Sequence, residues 1–151
     1  MKNPHDLLQH NVRMILIVLG SGVLVYLTVL VVLNVRLSIQ RGNQRKNLAD
    51  MRALATALEI YRQEHGVLPK GSTAQDLKAI LEPKYLKITP VYDSWGNVYI
   101  YRSDSQTSYT LISLGKDRMP DLDPSYKGPI RHFTNDISLS NGMFVVYPEG
   151  T

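Results

Sequence analysis

The chain has 151 residues with 17 Lys/Arg, 13 Asp/Glu and no cysteine, for a formal charge of +4. The lack of cysteine excludes disulfides, a lipidated N-terminal cysteine and thiolate metal sites. The placing of the charge excludes a basic nucleic-acid-binding face: seven Lys/Arg stand against two acids through Arg52, and ten against eleven from Ala53 onward, so the distal part has no positive excess to hold a phosphate backbone.

Residues 1–13 form a short polar tail, in which His5 and His10 have no metal-ligand context. Met14 to Val35 reads MILIVLGSGVLVYLTVLVVLNV, an uncharged run long enough to cross a hydrocarbon core of about 30 Å as a helix. It exceeds a signal-peptide core and no small-x-small cleavage site follows it, so it reads as a retained anchor. Gly20-Ser21-Gly22 puts three small residues together, which reads either as a helix-packing face or as a tolerated stretch facing lipid. Arg36, Arg41, Arg45 and Lys46 then make a basic collar over a juxtamembrane stalk, residues 36–46. Anionic headgroups attract such a collar, and Arg36 can snorkel to them. Gly42-Asn43 is the point where the helix would kink or fray.

From residue 47 the apolar pattern becomes one-sided. Leu48, Met51, Leu54, Ala55, Leu58 and Tyr61 recur at steps of three and four on an otherwise charged helix, which predicts a stripe covered by strands downstream. Gly66 suits a left-handed C-cap and Pro69 prevents restart, with Val67 and Leu68 tucked under the helix end. Ser72 and Gln75 have capping-box spacing for a short helix ending before Pro83. Asp93-Ser94-Trp95-Gly96-Asn97 is a turn with the lone Trp set to cap the core. VYIYR (98–102) and TSYTLIS (107–113) predict a hairpin. A long loop, residues 114–135, follows, with three prolines and little periodicity; such loops are uncommon unless functional or braced. Asn141-Gly142 predicts a tight turn between two last strands.

Taken in order, LADMRALATALEIYRQEHGVLP, YDSWGNVYIY, YTLISLGKD and the closing Asn135-Asp136-Ile137 resemble the major pseudopilin of bacterial type II secretion, over about Asn47 to Ile137. The resemblance implies an α+β, pilin-like fold: a long N-terminal transmembrane helix packed on a small antiparallel β-sheet, with residues 47–151 as the C-terminal domain. It also implies that the loop binds calcium, through the Leu114 carbonyl, Asp117 and Asp136. Asp121 and Asp123 are additional candidates in a loop longer than the family's. The donor chemistry agrees, since calcium takes six to eight oxygens from carboxylates and carbonyls. The bland reading is that acidic loop residues are solvated. At the N-terminus the sequence departs from the pattern: no Gly-aromatic leader junction precedes the span and no Glu occurs before Glu59. The expectation is therefore an untrimmed anchor.

Two functions stay open on these grounds. One is a membrane-anchored structural subunit of a secretion or pilus-like assembly, with other pseudopilins, secretion-system subunits or copies of itself as partners. The other is a non-polymerising binding or sensory module on a membrane stalk. Catalysis is not expected: the serines lack a nucleophile elbow, and no phosphate loop or zinc helix is present. Flanking charges, with Lys2 and Arg13 before the span and five basic residues after it, would keep the C-terminal domain cytoplasmic. A calcium loop points instead to an inner-membrane, single-pass protein with a periplasmic domain, which is the expectation adopted.

Overall fold

A computed structural model describes residues 4–104, 107–121, 123 and 125–150, with side chains described from Arg13 onward. His5, His10 and Lys2, and residues 105 and 106 between the two strands of the predicted hairpin, lie outside the described side chains. The elements are α1 (Pro4–His65), α2 (Ala74–Leu81), β1 (Ile100–Ser103), β2 (Tyr109–Ser113), β3 (Gly128–Ile130), β4 (Ile137–Ser140) and β5 (Met143–Pro148). The chain divides after Gln40 into two compact units.

In the first unit α1 begins at Pro4, a residue suited to the first helical position because its missing N–H has no partner there anyway. Most of the polar tail is thus helical. Through the apolar run the side chains are exposed on every side; Leu16, Leu24 and Val31 all exceed 60%. The few polar side chains fold their donors back on their own helix. Ser21 Oγ donates to the Val18 carbonyl at 2.8 Å, Thr28 Oγ1 to that of Leu24 at 2.8 Å and Asn34 Nδ2 to that of Leu30 at 2.8 Å. A span built this way leaves these donors satisfied without water, as a bilayer interior demands.

In the second unit the same helix turns one-sided. Leu48, Met51, Leu54, Ala55, Ala57 and Leu58 are buried in the core, and Tyr61 packs against its margin. Each fully buried Leu contributes roughly 1.5–3 kcal/mol, so this stripe is a principal attachment of helix to sheet. Gly66 closes α1 with φ of +73° and its N–H reaches the Arg62 carbonyl at 2.8 Å. Leu68 is buried, but Val67 is 46% exposed, so only one of the pair tucks under the helix end.

The N-cap of α2 falls one residue later than the spacing suggests. Thr73 is the cap and Asp76 the reciprocal acid. The Asp76 carboxylate accepts from the N–H and hydroxyl of both Ser72 and Thr73, at 2.9–3.1 Å. An ionised acid is a stronger acceptor than the Gln75 amide, and these bonds hold its pKa down, the Ser72 N–H first among them.

The sheet order is β1-β2-β4-β5-β3. β1–β2, β2–β4 and β4–β5 are antiparallel. Asn141 and Gly142 both take positive φ, +48° and +80°, as the β4–β5 turn requires. The expected all-antiparallel sheet is corrected by β3, which lies inside the predicted loop and pairs in parallel with β5, Gly128 opposite Val146 and Ile130 opposite Pro148. Three residues, one of them Pro129, carry no alternating pattern to be read, and a proline is tolerated because β3 is an edge. The Tyr126 hydroxyl donates to the Pro129 carbonyl at 2.6 Å. At the other edge Ala74 N–H and the Ser72 carbonyl pair with Tyr99 and Tyr101. Tyr99, Tyr101 and Tyr109 fill the core between helix and sheet. Burial pushes the Tyr99 and Tyr109 phenols well above their ordinary range.

Candidate functional site

The predicted loop leaves β2 at Ser113 and returns to β4 at Ile137. Its two limbs are pressed together at their base. The Lys116 N–H donates to the Phe133 carbonyl at 2.9 Å. Gly115 has φ of +68°, and a Cβ there would stand 2.6 Å from the carbonyl oxygens of both Thr134 and Asn135. Only glycine fits that crossing.

Beyond it the acids differ in what they bond. Asp121 and Asp136 exchange bonds: the Asp136 N–H donates to Asp121 Oδ2 at 2.8 Å, and the Asp121 N–H to Asp136 Oδ2 at 3.2 Å. Asn135 Nδ2 also reaches Asp121 Oδ1 at 3.4 Å. Asp136 Oδ1 is buried with no hydrogen-bond partner. Burial pushes the Asp136 carboxyl up to about 6; the Asp121 N–H pulls it down, and the negative charges of Asp121 and Asp117 push it further up. Asp117 is therefore within electrostatic reach of the pair, although its Oδ1 accepts from the Met119 N–H at 3.2 Å.

Asp123 lines the same cavity as Asp121 and Asp136 but takes no part in their exchange of bonds. Its Oδ1 accepts from the Ser125 hydroxyl at 2.6 Å and the Ser125 N–H at 2.9 Å, which hold its pKa down, and its side chain is exposed. Leu114 sits at the first position after β2, half-buried. Among the described residues no group of three or more acidic or histidine side chains is close enough to hold a metal unaided.

The donor set nevertheless suits a hard cation. The Asp121–Asp136 pair supplies two carboxylates and a bare buried oxygen, where an unpaired polar atom is costly. Two carboxylates with loop carbonyls and water are calcium's usual partners. His132 adds its carbonyl to the Asn135 N–H at 3.3 Å, a turn contact.

The Asp93–Asn97 turn, read from the sequence as a seat for Trp95, is a polar core. Trp95 is half-buried and outside the hydrophobic cluster, whereas Asp93 and Asn97 are buried. Asp93 accepts from Trp95 N–H (2.9 Å), Asn97 N–H (2.8 Å), Asn97 Nδ2 (2.9 Å) and Ser113 Oγ (2.7 Å). Asn97 Nδ2 also donates to the Gly115 carbonyl at 2.7 Å. On α1 the fully buried Asn47 accepts from the Ser94 N–H at 2.8 Å and donates to Ser113 Oγ at 3.4 Å. Asn47 interrupts the apolar side of an amphipathic helix, a signal available in the sequence because it stands four residues before Met51 and seven before Leu54 on the core-facing stripe.

A family model described as type II secretion system (T2SS), protein G matches residues 34–126. The chain belongs to this family. As a type II secretion protein G, the major pseudopilin, it pairs an apolar N-terminal helix with a small mixed sheet. The match takes in Asn47, the Asp93–Asn97 turn, Asp117, Asp121 and Asp123; Asp136 lies beyond its last residue. No curated protein matches the chain. The collar residues Arg36, Arg41, Arg45 and Lys46 are exposed, and Lys46 Nζ pairs with Asp50 one turn on, at 2.5 Å.

Proposed function

We propose that this protein is an inner-membrane structural subunit that assembles with other secretion-system subunits, with its C-terminal domain on the periplasmic side and calcium bound in the loop after β2. Membrane anchoring rests on one observation above all. The helix is exposed on every face through the apolar run and one-sided after residue 47, so the first part calls for a lipid or helical environment and the second is already covered by its own sheet. The collar then stands at the headgroup level, where each basic residue contributes about 1 kcal/mol of attraction to anionic lipid.

Calcium would be held by Asp121 and Asp136, with Asp117 and the Leu114 carbonyl drawn in. The ion supplies positive charge to a carboxylate pair that is otherwise self-repelling and partly dehydrated. Asp123, already committed to Ser125, is a peripheral member of the set at most. Closing the loop this way replaces the cross-link that a cysteine-free domain lacks.

Two measurements test the reading. Protease added to spheroplasts should digest the C-terminal domain while cytoplasmic controls survive; a protected domain sinks the periplasmic assignment. Thermal melts of the full chain in detergent should shift upward with calcium and little with magnesium, which demands tight octahedral geometry and keeps its water. Identical melts in chelator and calcium would mean that the loop acids are solvated and hold no ion.

A further inference from the structure

We infer that the Asp93–Asn97 turn is a positioning element that couples calcium occupancy of the loop to the seating of the membrane-proximal part of α1, from Asn47, on the sheet, with Asn97 and Asn47 as its two working side chains. The inference rests on the calcium reading above and adds a route from the ion to the helix.

The route is a chain of short, buried bonds. At the loop end, Asn97 Nδ2 holds the Gly115 carbonyl at 2.7 Å. That carbonyl belongs to the residue whose α-carbon lies against the Thr134 and Asn135 carbonyls, next to Asp136. Fixing Gly115 therefore fixes both limbs of the loop where they cross. A second tie runs along the surface, from Arg118 Nη2 to the Trp95 carbonyl at 3.3 Å.

At the centre, Asp93 gathers Asn97, Trp95 and Ser113. At the helix end, Asn47 takes the Ser94 N–H and gives a bond to Ser113 Oγ. Asn47, Asp93, Asn97 and Ser113 are all at least nine-tenths buried, so each lost bond leaves an unsatisfied group and the network moves as a unit. The bonds that the loop carboxylates accept come from Met119, Asp121, Ser125, Asn135 and Asp136, and not from these four side chains. The turn thus stands behind the ion site in the manner of an outer-shell support, whose loss typically costs 10–100-fold in metal affinity.

Reciprocity follows from linkage: if helix seating favours the ion, the ion favours helix seating by the same factor. Trp95, between the two ties, is a built-in reporter.

The test uses the full chain in detergent micelles with calcium alone as ligand. Calcium affinity is read by calorimetry and by Trp95 emission, and helix seating by amide exchange over residues 47–57. Wild type should bind calcium, and binding should slow that exchange about tenfold. Asn97→Ala should weaken calcium affinity about tenfold and abolish the slowing. Asn47→Ala should leave calcium binding measurable but remove its effect on helix exchange. A purely structural role would lower stability in chelator and in calcium alike and leave the dissociation constant within twofold; that result overturns the coupling while leaving the calcium site intact. Should Asn97→Ala not fold, Asn47→Ala decides alone: undiminished slowing overturns the inference. If wild type binds no calcium, the calcium reading fails and the coupling fails with it.

Discussion

Asp93 and Asp136 are both acids at the base of a turn beside the same sheet, and the protein treats them oppositely. Asp93 is buried and receives four donors at 2.7–2.9 Å. Asp136 is half-buried, shares its bonds with another acid, and keeps one oxygen buried without a partner. A carboxylate that the chain satisfies by itself is a fixture of the fold. One left short of donors beside a second negative charge is suited to something from solution, a cation or a proton.

The contrast breaks most readily at Asp93. Asp93→Ala strands the Asn97 amide and the Ser113 hydroxyl inside the domain, and should destabilise by about 3 kcal/mol in chelator and by more in calcium, because the link between ion and helix is lost with it. Denaturant melts in chelator and in calcium measure it; a loss confined to one condition would erase the distinction between the two acids. Next in size is the ion itself. At a hundredfold excess over its dissociation constant, calcium should stabilise the wild type by about 2.7 kcal/mol, seen as an upward shift of about 10 °C in calorimetry.

Asp136→Asn should change sign with conditions. With chelator, the raised pKa means that the folded state prefers the protonated acid. That stability is fully present below the unfolded value near 3.8 and is lost as pH rises through about 6. Above pH 6 the neutral Asn avoids the loss, so the variant should melt slightly higher than wild type, by less than about 1 kcal/mol once solvent screening of a half-buried group is counted. In calcium it should melt lower. Melts from pH 4.5 to 7.5 in both buffers would show the crossover, and parallel curves would remove Asp136 from the site. Smallest is Asp123→Asn. Its carboxylate is occupied by Ser125, so calorimetric titration should find calcium affinity changed less than about twofold, well short of a ligand's contribution.

Much of this is legible in the sequence. The change from all-round to one-sided apolarity at residue 47 is a matter of period, and period survives tertiary context. Asn141-Gly142 names its own turn because both residues must take positive φ. Trp95 misled, since bulk suggests burial while the turn's buried polar groups are Asp93 and Asn97. Their role depends on partners 18 and 20 residues away, and no local spacing encodes those. β3 was invisible for a similar reason: three residues acquire strand character only by lying beside β5. For the loop, composition singled out the acids but could not sort them. That Asp121 pairs with Asp136 while Asp123 folds onto Ser125 is decided by how the chain crosses at Gly115.

The outer strand β3 bears on how such domains tolerate crowding. A bare strand edge invites another chain to add itself, and a membrane that concentrates many copies in one plane raises that risk. At the middle of β3, Pro129 has no N–H to offer and its carbonyl already receives the Tyr126 hydroxyl. Across the sheet, the first half of β1 is spoken for by Ser72 and Ala74. An approaching strand therefore finds no donor at the centre of one border and an occupied stretch at the other. Contacts between neighbours are left to side chains and helices, which can be specific, and are steered away from indiscriminate backbone pairing.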